Sequence, residues 1–270
     1  MILKNNWTSR LRSIRKREID SIFNYLQGKH LRTHFRSGIE FGSGEGYQTT
    51  LLVNHCDQLI STDLNFKRIK DELKLPNVKY VQCDADKLGG VFVPEQFDFI
   101  FSSNLIEHLG DSKDFLLNTK TFLTQDGYAA HVIPGRMVKI TYILFYYFNL
   151  FLLTLNRFAG LLQGKKFFRG DKISLENNIN IIEEKKEGRI RRFLLPSIHG
   201  NFASHREEFI KFGRKSWQDL FQKCGFVVVK HIKGPAFSGY GFGFTRLSHL
   251  LEFFGWSSEH IFILKKRDSL

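Results

Sequence analysis

The reading turns on residues 40–47, Glu40-Phe41-Gly42-Ser43-Gly44-Glu45-Gly46-Tyr47. The run Gly38-Ile39-Glu40-Phe41 reads as a short strand, and Gln48 to His55 reads as a helix. Glycines at such a junction let a ligand approach the backbone closely, and the helix N-terminus offers free N–H groups. A dinucleotide fingerprint would be Gly-x-Gly-x-x-Gly. Here the third glycine is Gly46, and Tyr47 stands where that fingerprint needs its last glycine. An acid at Glu40 or Glu45 would also repel a pyrophosphate and suits a ligand that carries positive charge.

Outward from this loop, short apolar runs alternate with helical stretches. Gln58 to Thr62 is followed by Asn65 to Leu73, then by the strand-like Val78 to Gln82. Phe97 to Ser103 is followed by Asp114 to Leu123, then by Tyr128 to Ile133. Strands separated by helices predict right-handed crossovers and a parallel sheet covered on both faces. After Pro134 the rhythm stops, and it resumes with a helix over Arg214 to Gly225 and strands over Phe226 to Ile232 and His260 to Leu264. Upstream, Ile19, Ile22, Phe23 and Leu26 predict a basic amphipathic helix over 10–27. The expected organisation is an N-terminal helical extension over 1–36, a ligand-binding half over 37–135, an insertion over 136–205, and a segment over 206–270 that completes the sheet.

Two acids follow the strands. Asp63 ends the second strand, 21 residues after Gly42, where a carboxylate accepts from both hydroxyls of a ribose. Asp84 follows the third strand, in Gln82-Cys83-Asp84-Ala85, placed to accept from an exocyclic amine of an adenine. Asp98, inside Phe97-Asp98-Phe99, reads as the start of a strand.

The order Glu-Phe-Gly-Ser-Gly-Glu-Gly, Ser-Thr-Asp, Cys-Asp-Ala and Phe97 to Leu109 resembles the class I S-adenosylmethionine-dependent methyltransferases. The resemblance covers residues 37–134, weakens over 205–266 and is absent from the insertion. It implies an α/β fold: a Rossmann-like, seven-stranded, mostly parallel sheet with helices on both faces, plus a helical apolar insertion after the fifth strand. It also implies S-adenosyl-L-methionine as cofactor. Glu40, Gly42, Ser43, Gly44 and Gly46 would hold its methionine portion, Asp63 with Leu64 the ribose, and Asp84 with Ala85 the adenine. Ser103 and Asn104, within the segment Ser102 to His108, would meet the methionine end and face the acceptor.

Methyl transfer is an in-line displacement, so the protein mainly holds two reactants in line. A hydroxyl acceptor also gains from a base, and histidine is the default near neutral pH. The catalytic candidates are His108, just past the fourth strand beside Glu107, and His199 and His205 in the dense stretch Ser197 to Glu208. His131 ends a core strand and reads as a buried structural histidine. His199, His205 and Glu208 lack a recognised ligand spacing, so no metal site is expected. A second glycine stretch, Gly239-Tyr240-Gly241-Phe242-Gly243, reads as an aromatic-glycine turn or as a lid over the acceptor pocket.

Composition bounds the rest. The 270 residues carry 40 Lys and Arg against 27 Asp and Glu, a formal charge of +13, with 42% hydrophobic and 25% charged residues. These proportions exclude wholesale disorder. The 28 phenylalanines hint at an aromatic-lined pocket or a greasy contact surface, and a pI near 9.6 at an anionic partner. Cys56, Cys83 and Cys224 are too few and too scattered for a disulfide framework or a zinc site, which fits a reduced cytosolic compartment. The first 20 residues lack the apolar centre of a secretory signal.

Ile140 to Asn156 is a 17-residue run without charge. As a helix it would measure about 25 Å, short of the roughly 30 Å of hydrocarbon in a bilayer. A crossing would also separate the last strands from their sheet. Two readings remain: a helix in the interface of an anionic membrane, flanked by Arg136, Lys139, Arg157, Lys165, Lys166 and Arg169, or a helix buried against the core or a second subunit. The expected acceptor is a small or lipid-linked molecule, a glycan included, and the expected location is cytoplasmic, peripheral on the inner membrane face. Nucleic acid is the weaker partner, because Ser102-Ser103-Asn104-Leu105 stands where base-amine methylation calls for an Asn-Pro-Pro-Tyr motif. A membrane-bound scaffold without turnover is the non-catalytic alternative. The sequence leaves the oligomeric state open.

Overall fold

The computed structural model describes residues 7–162, 198–237 and 245–267. Seven strands form one sheet: β1 (Phe35–Phe41), β2 (Cys56–Asp63), β3 (Val78–Gln82), β4 (Phe97–Ser103), β5 (Leu123–Pro134), β6 (Phe226–Lys233) and β7 (Glu259–Lys266). Their order is β3-β2-β1-β4-β5-β7-β6. The first five strands run parallel, and β7 runs antiparallel between β5 and β6. The chain moves outward from β1 to β3, then returns across β1 to β4. That reversal falls between β1 and β4, and the carboxyl ends of the strands at such a reversal are where sheets of this kind bind ligands.

Among the described residues, seven α helices accompany the sheet: α1 (Trp7–Gly28), α2 (Thr49–Leu52), α3 (Ser112–Phe122), α4 (Arg136–Leu162), α5 (His205–Lys211), α6 (Arg214–Lys223) and α7 (Thr245–Phe253). Alternation along the strands separates two cores. Ile100, Phe262 and Leu264 face Phe115, Phe122, Trp217 and Phe221 of α3 and α6. Phe99, Phe101, Ile261 and Ile263 face the stripe Ile19, Ile22, Phe23 and Leu26 of α1. Helices therefore cover both faces, as expected, and α1 is built into the core. Ten of the twelve largest fully buried side chains are phenylalanines, so much of the phenylalanine surplus fills these layers.

Several elements differ from expectation. Asn65 to Leu73 forms only two 3-10 turns, Phe66–Arg68 and Asp71–Leu73. The stretch is short, and of Ile69 and Leu73 only Ile69 is buried, which leaves little packing to offset helix nucleation. The helix after the glycine turn is one turn of α helix, continued as a 3-10 turn over Val53–His55. α5 begins at His205 because Ser204 caps it. The Ser204 side chain accepts from Glu207 N at 3.2 Å, and the Glu207 carboxylate accepts from Ala203 N at 3.0 Å, a close relative of the capping box.

The apolar run lies within α4. Among the described residues, no helix is long and apolar enough to cross a membrane. Lys139, in the first turn of α4, meets Glu208 of α5 at 2.5 Å, and both side chains are buried. Ile140, Leu144, Phe151 and Leu155 form an exposed row at helical spacing. Lys165, Lys166, Arg169 and the stretch Gly239 to Gly243 lie outside the described residues.

Candidate active site

The glycine turn is bound to the end of β2. Gly42 and Ser43 donate their N–H groups to the Thr62 carbonyl at 2.8 and 2.9 Å. Gly42, Gly44 and Gly46 have φ of 75°, 58° and 92°, left-handed values that favour glycine at each position. A Cβ on Gly42 would also stand 3.1 Å from Leu105, so the turn lies close against the segment after β4. The Ser43 hydroxyl is buried and has no protein partner, which leaves it available to a ligand lying over the turn.

Asp63 sits beside the turn. Its Oδ2 accepts from Gly44 N at 2.8 Å and its Oδ1 from Asn65 N at 2.9 Å. The residue is 4% exposed, and each oxygen has a lone pair left for a further donor. Arg68 reaches the same place, with Nη1 4.0 Å from Asp63 Oδ2. Leu64 is exposed. Asp84 is one strand further out, with Oδ1 accepting from Asp86 N at 3.1 Å and Oδ2 3.3 Å from Lys87 Nζ. Ala85 packs against the core beside it.

The two acids of the turn serve different ends. Glu40 is 1% exposed, and its Oε2 accepts from the Thr49 hydroxyl at 2.5 Å and lies 3.5 Å from Ser61 Oγ. Burial pushes its pKa up to about 7, although those hydroxyls pull the other way. Glu45 pairs with Arg12 at 3.1 Å and Lys70 at 2.6 Å. Partial burial would raise its pKa, but hydrogen bonds from these two cations hold it below the ordinary value. Glu45 is thus already neutralised by the protein's own charges.

Ser103 and Asn104 join a buried polar cluster absent from the sequence reading. Arg15 of α1 donates to Ser103 Oγ at 2.7 Å and to Glu18 at 2.9 Å. Ser103 donates to Glu18 at 3.1 Å, and Gln48 does so at 3.0 Å. Asn104, in left-handed backbone with φ 48°, donates to Glu259 at 2.9 Å. Glu18 and Glu259 are fully buried around one guanidinium. Burial, then the nearby Glu18, holds Glu259 well above the ordinary carboxylate range.

On the acceptor side, Glu107 lies in a 3-10 turn just after β4 (Ile106–His108). Its carboxylate is fully buried, and neither oxygen has a hydrogen-bond partner. His108 Nε2 stands 3.8 Å and His199 Nε2 3.7 Å from Glu107 Oε1. Burial lowers the His108 pKa, opposed by Glu107. The sequence-predicted His108 and His199 are thus brought together. His205 lies apart from them, with Nδ1 3.7 Å from Glu208, itself paired with Lys139. His131 is fully buried, bonded to Ser102 Oγ at 2.8 Å, and burial pushes its pKa down to about 3. It is a neutral core histidine.

Residues 39–131 match the family model of a methyltransferase domain. A candidate S-adenosylmethionine-dependent methyltransferase from Listeria monocytogenes aligns over 93% of this chain and 99% of its own, at 11% identity and a TM-score of 0.53. An S-adenosylmethionine-dependent methyltransferase from Mesorhizobium loti aligns over 90% and 96%, at 12% identity and a TM-score of 0.52. At such identities these likenesses speak for the fold alone. A comparison with curated proteins finds no match. The sheet order, the glycine turn with its acids and the match over residues 39–131 give this chain a methyltransferase domain, in the fold that solved S-adenosylmethionine-dependent methyltransferases share.

Proposed function

We propose that this methyltransferase acts on an oxygen atom of a small or lipid-linked acceptor, a glycan hydroxyl included. The observation that carries the reading is Glu107 with His108 and His199, three proton-handling side chains gathered just past β4. The cofactor supplies a methyl group on a sulfonium. With that group bound, the acceptor oxygen would take the methyl carbon as the carbon–sulfur electron pair goes to sulfur, and an imidazole of this cluster would receive the hydroxyl proton. His108 and His199 are the proposed acceptor-side groups. His205, set apart beside Glu208, is proposed to position α5 at the rim.

The cofactor roles follow the geometry of the turn. Gly42, Ser43, Gly44 and Gly46 line the methionine portion, and the unpartnered Ser43 hydroxyl fits a ligand there. Asp63 accepts from the ribose with Leu64 beside it, and Asp84 with Ala85 meets the adenine. Ser103 and Asn104 close the methionine end. Glu40, enclosed by Thr49 and Ser61, supports the turn from beneath. In this reading residues 37–135 hold the cofactor, β6 and β7 complete the sheet, and α1, the start of α4 and the His199 loop flank the acceptor side.

The exposed row Ile140, Leu144, Phe151 and Leu155 favours an acceptor met at an anionic membrane surface, on the cytoplasmic side. The test is transfer of radiolabelled methyl from S-adenosylmethionine to a total lipid extract, to soluble glycans and to RNA. Label in the lipid or glycan fraction, stable to mild base as an ether would be, is the expected result. Label only in RNA, or only in amine products, would replace this reading.

A further inference from the structure

We propose that Glu107, His108 and His199 form a binding site for one divalent transition-metal ion, held by the Glu107 carboxylate and the two Nε2 atoms. Glu107 is the starting point. Its side chain is fully buried, and both oxygens lack a hydrogen-bond partner. A buried ionised carboxylate without a partner is expensive, and a cation relieves it. The nearest cationic candidates are the imidazoles at 3.8 and 3.7 Å, too far to hydrogen-bond.

The spacing suits an ion between them. One donor atom from each of the three residues lies within 4.8 Å of the others. Metal–ligand bonds of about 2.0–2.2 Å would need the donors only slightly closer, within the reach of side-chain rotation. Two imidazoles and one carboxylate form a donor set that catalytic zinc and non-haem iron sites use with positions left open. His108 and His199 are 31% and 40% exposed, so an ion there would be reachable from solvent.

The backbone carries His199 to this place. Asn201 N donates to the Glu107 carbonyl at 2.8 Å, which fastens the His199 loop to the turn after β4. Gly200 has φ 85°, and a Cβ there would stand 2.6 Å from the same carbonyl oxygen. Glycine next to His199 therefore lets the loop close. The other paired histidines, His231 and His260, hydrogen-bond each other at 2.9 Å and do not belong to such a donor group.

An open position on the ion would take an oxygen of the acceptor, orient it and lower its proton affinity; with both Nε2 atoms on the ion, the proton would leave to solvent and not to an imidazole. This last step deepens the proposed oxygen methylation and rests on it; the metal site stands without it.

The test uses the whole chain, freed of metal by chelator, titrated with Zn²⁺ and separately with Mn²⁺ by calorimetry and elemental analysis. One ion per chain is expected. His199→Ala and Glu107→Gln should each weaken it by more than about a hundredfold, beyond what loss of a residue that only hydrogen-bonds a ligand costs. S-adenosylhomocysteine should still bind each variant, which certifies the fold. No stoichiometric uptake of either ion, or uptake that survives His199→Ala or disappears only with His231→Ala, overturns the site. Uptake as predicted without any methyl transfer to oxygen would leave the metal site standing and overturn the oxygen-methylation reading instead.

Discussion

Replacing Asp63 by alanine tests the cofactor end quantitatively. Two ribose hydroxyls donating to this carboxylate would make two charge-assisted bonds, worth about 1.5 kcal/mol each at the low end. Their loss is about 3 kcal/mol, or roughly a hundredfold in dissociation constant. The change also strips acceptors from Gly44 N and Asn65 N, which Asp63 holds at 2.8 and 2.9 Å. With the site 4% exposed, water replaces them poorly, at about 1 kcal/mol each. That corresponds to a melting temperature lower by about 5 °C in a chain of this size. Asp63→Asn keeps the volume but turns an N–H donor toward one of those backbone donors, so it should weaken binding nearly as much. Calorimetric titration with S-adenosylhomocysteine, alongside a thermal melt, separates affinity from stability. A folded Asp63→Ala protein that binds within about threefold of the parent would refute the assignment of that acid.

Three further outcomes follow from buried charge and backbone geometry. Glu40 has a folded pKa near 7 against 4.5 in an open chain, so folding favours its protonated form. Its contribution is complete below pH 4.5 and is lost as pH rises toward 7, an effect on the order of 3 kcal/mol; urea unfolding of Glu40→Gln should show a shallower loss of stability between pH 5 and 7, and an unchanged slope would contradict this. Lys139→Met leaves Glu208 buried without its partner and should cost about 3–5 kcal/mol, mostly restored by adding Glu208→Gln, as read in denaturant midpoints. Gly200→Ala should push the His199 loop off Glu107 and cost more than about 1 kcal/mol, whereas Gly89→Ala, with open space around it, should cost less.

Much of the candidate site's geometry was legible because its residues are local. The glycine turn, Asp63 and Asp84 each follow a strand whose apolar run announces it, and the order of the sheet then brings them to one edge. The cluster of Arg15, Glu18 and Glu259 was not legible. Glu259 opens its strand, and such a residue normally lies at the far edge of a parallel sheet. β7 runs antiparallel to β5, however, so its start lies at the carboxyl edge, where Asn104 meets it. Nothing in the local sequence announces that reversal. Arg15 and Glu18 are three residues apart beside the apolar stripe of α1, a signal visible in principle. The approach of Glu107 to His199 depends on closure of a loop 92 residues away, which no local pattern announces. The helix expected after Asp63 failed for the opposite reason: local spacing was present, but the packing that would hold a helix was not.

The account's central claim concerns where the cofactor lies, and a crystal structure with S-adenosylhomocysteine measures it directly. The ribose hydroxyls should lie within hydrogen-bond distance of the Asp63 carboxylate, the amino-acid tail over Gly42 to Gly46, and Arg68 should have swung aside. A ligand bound anywhere else, or a ribose held by a different acid with Arg68 still against Asp63, would contradict it.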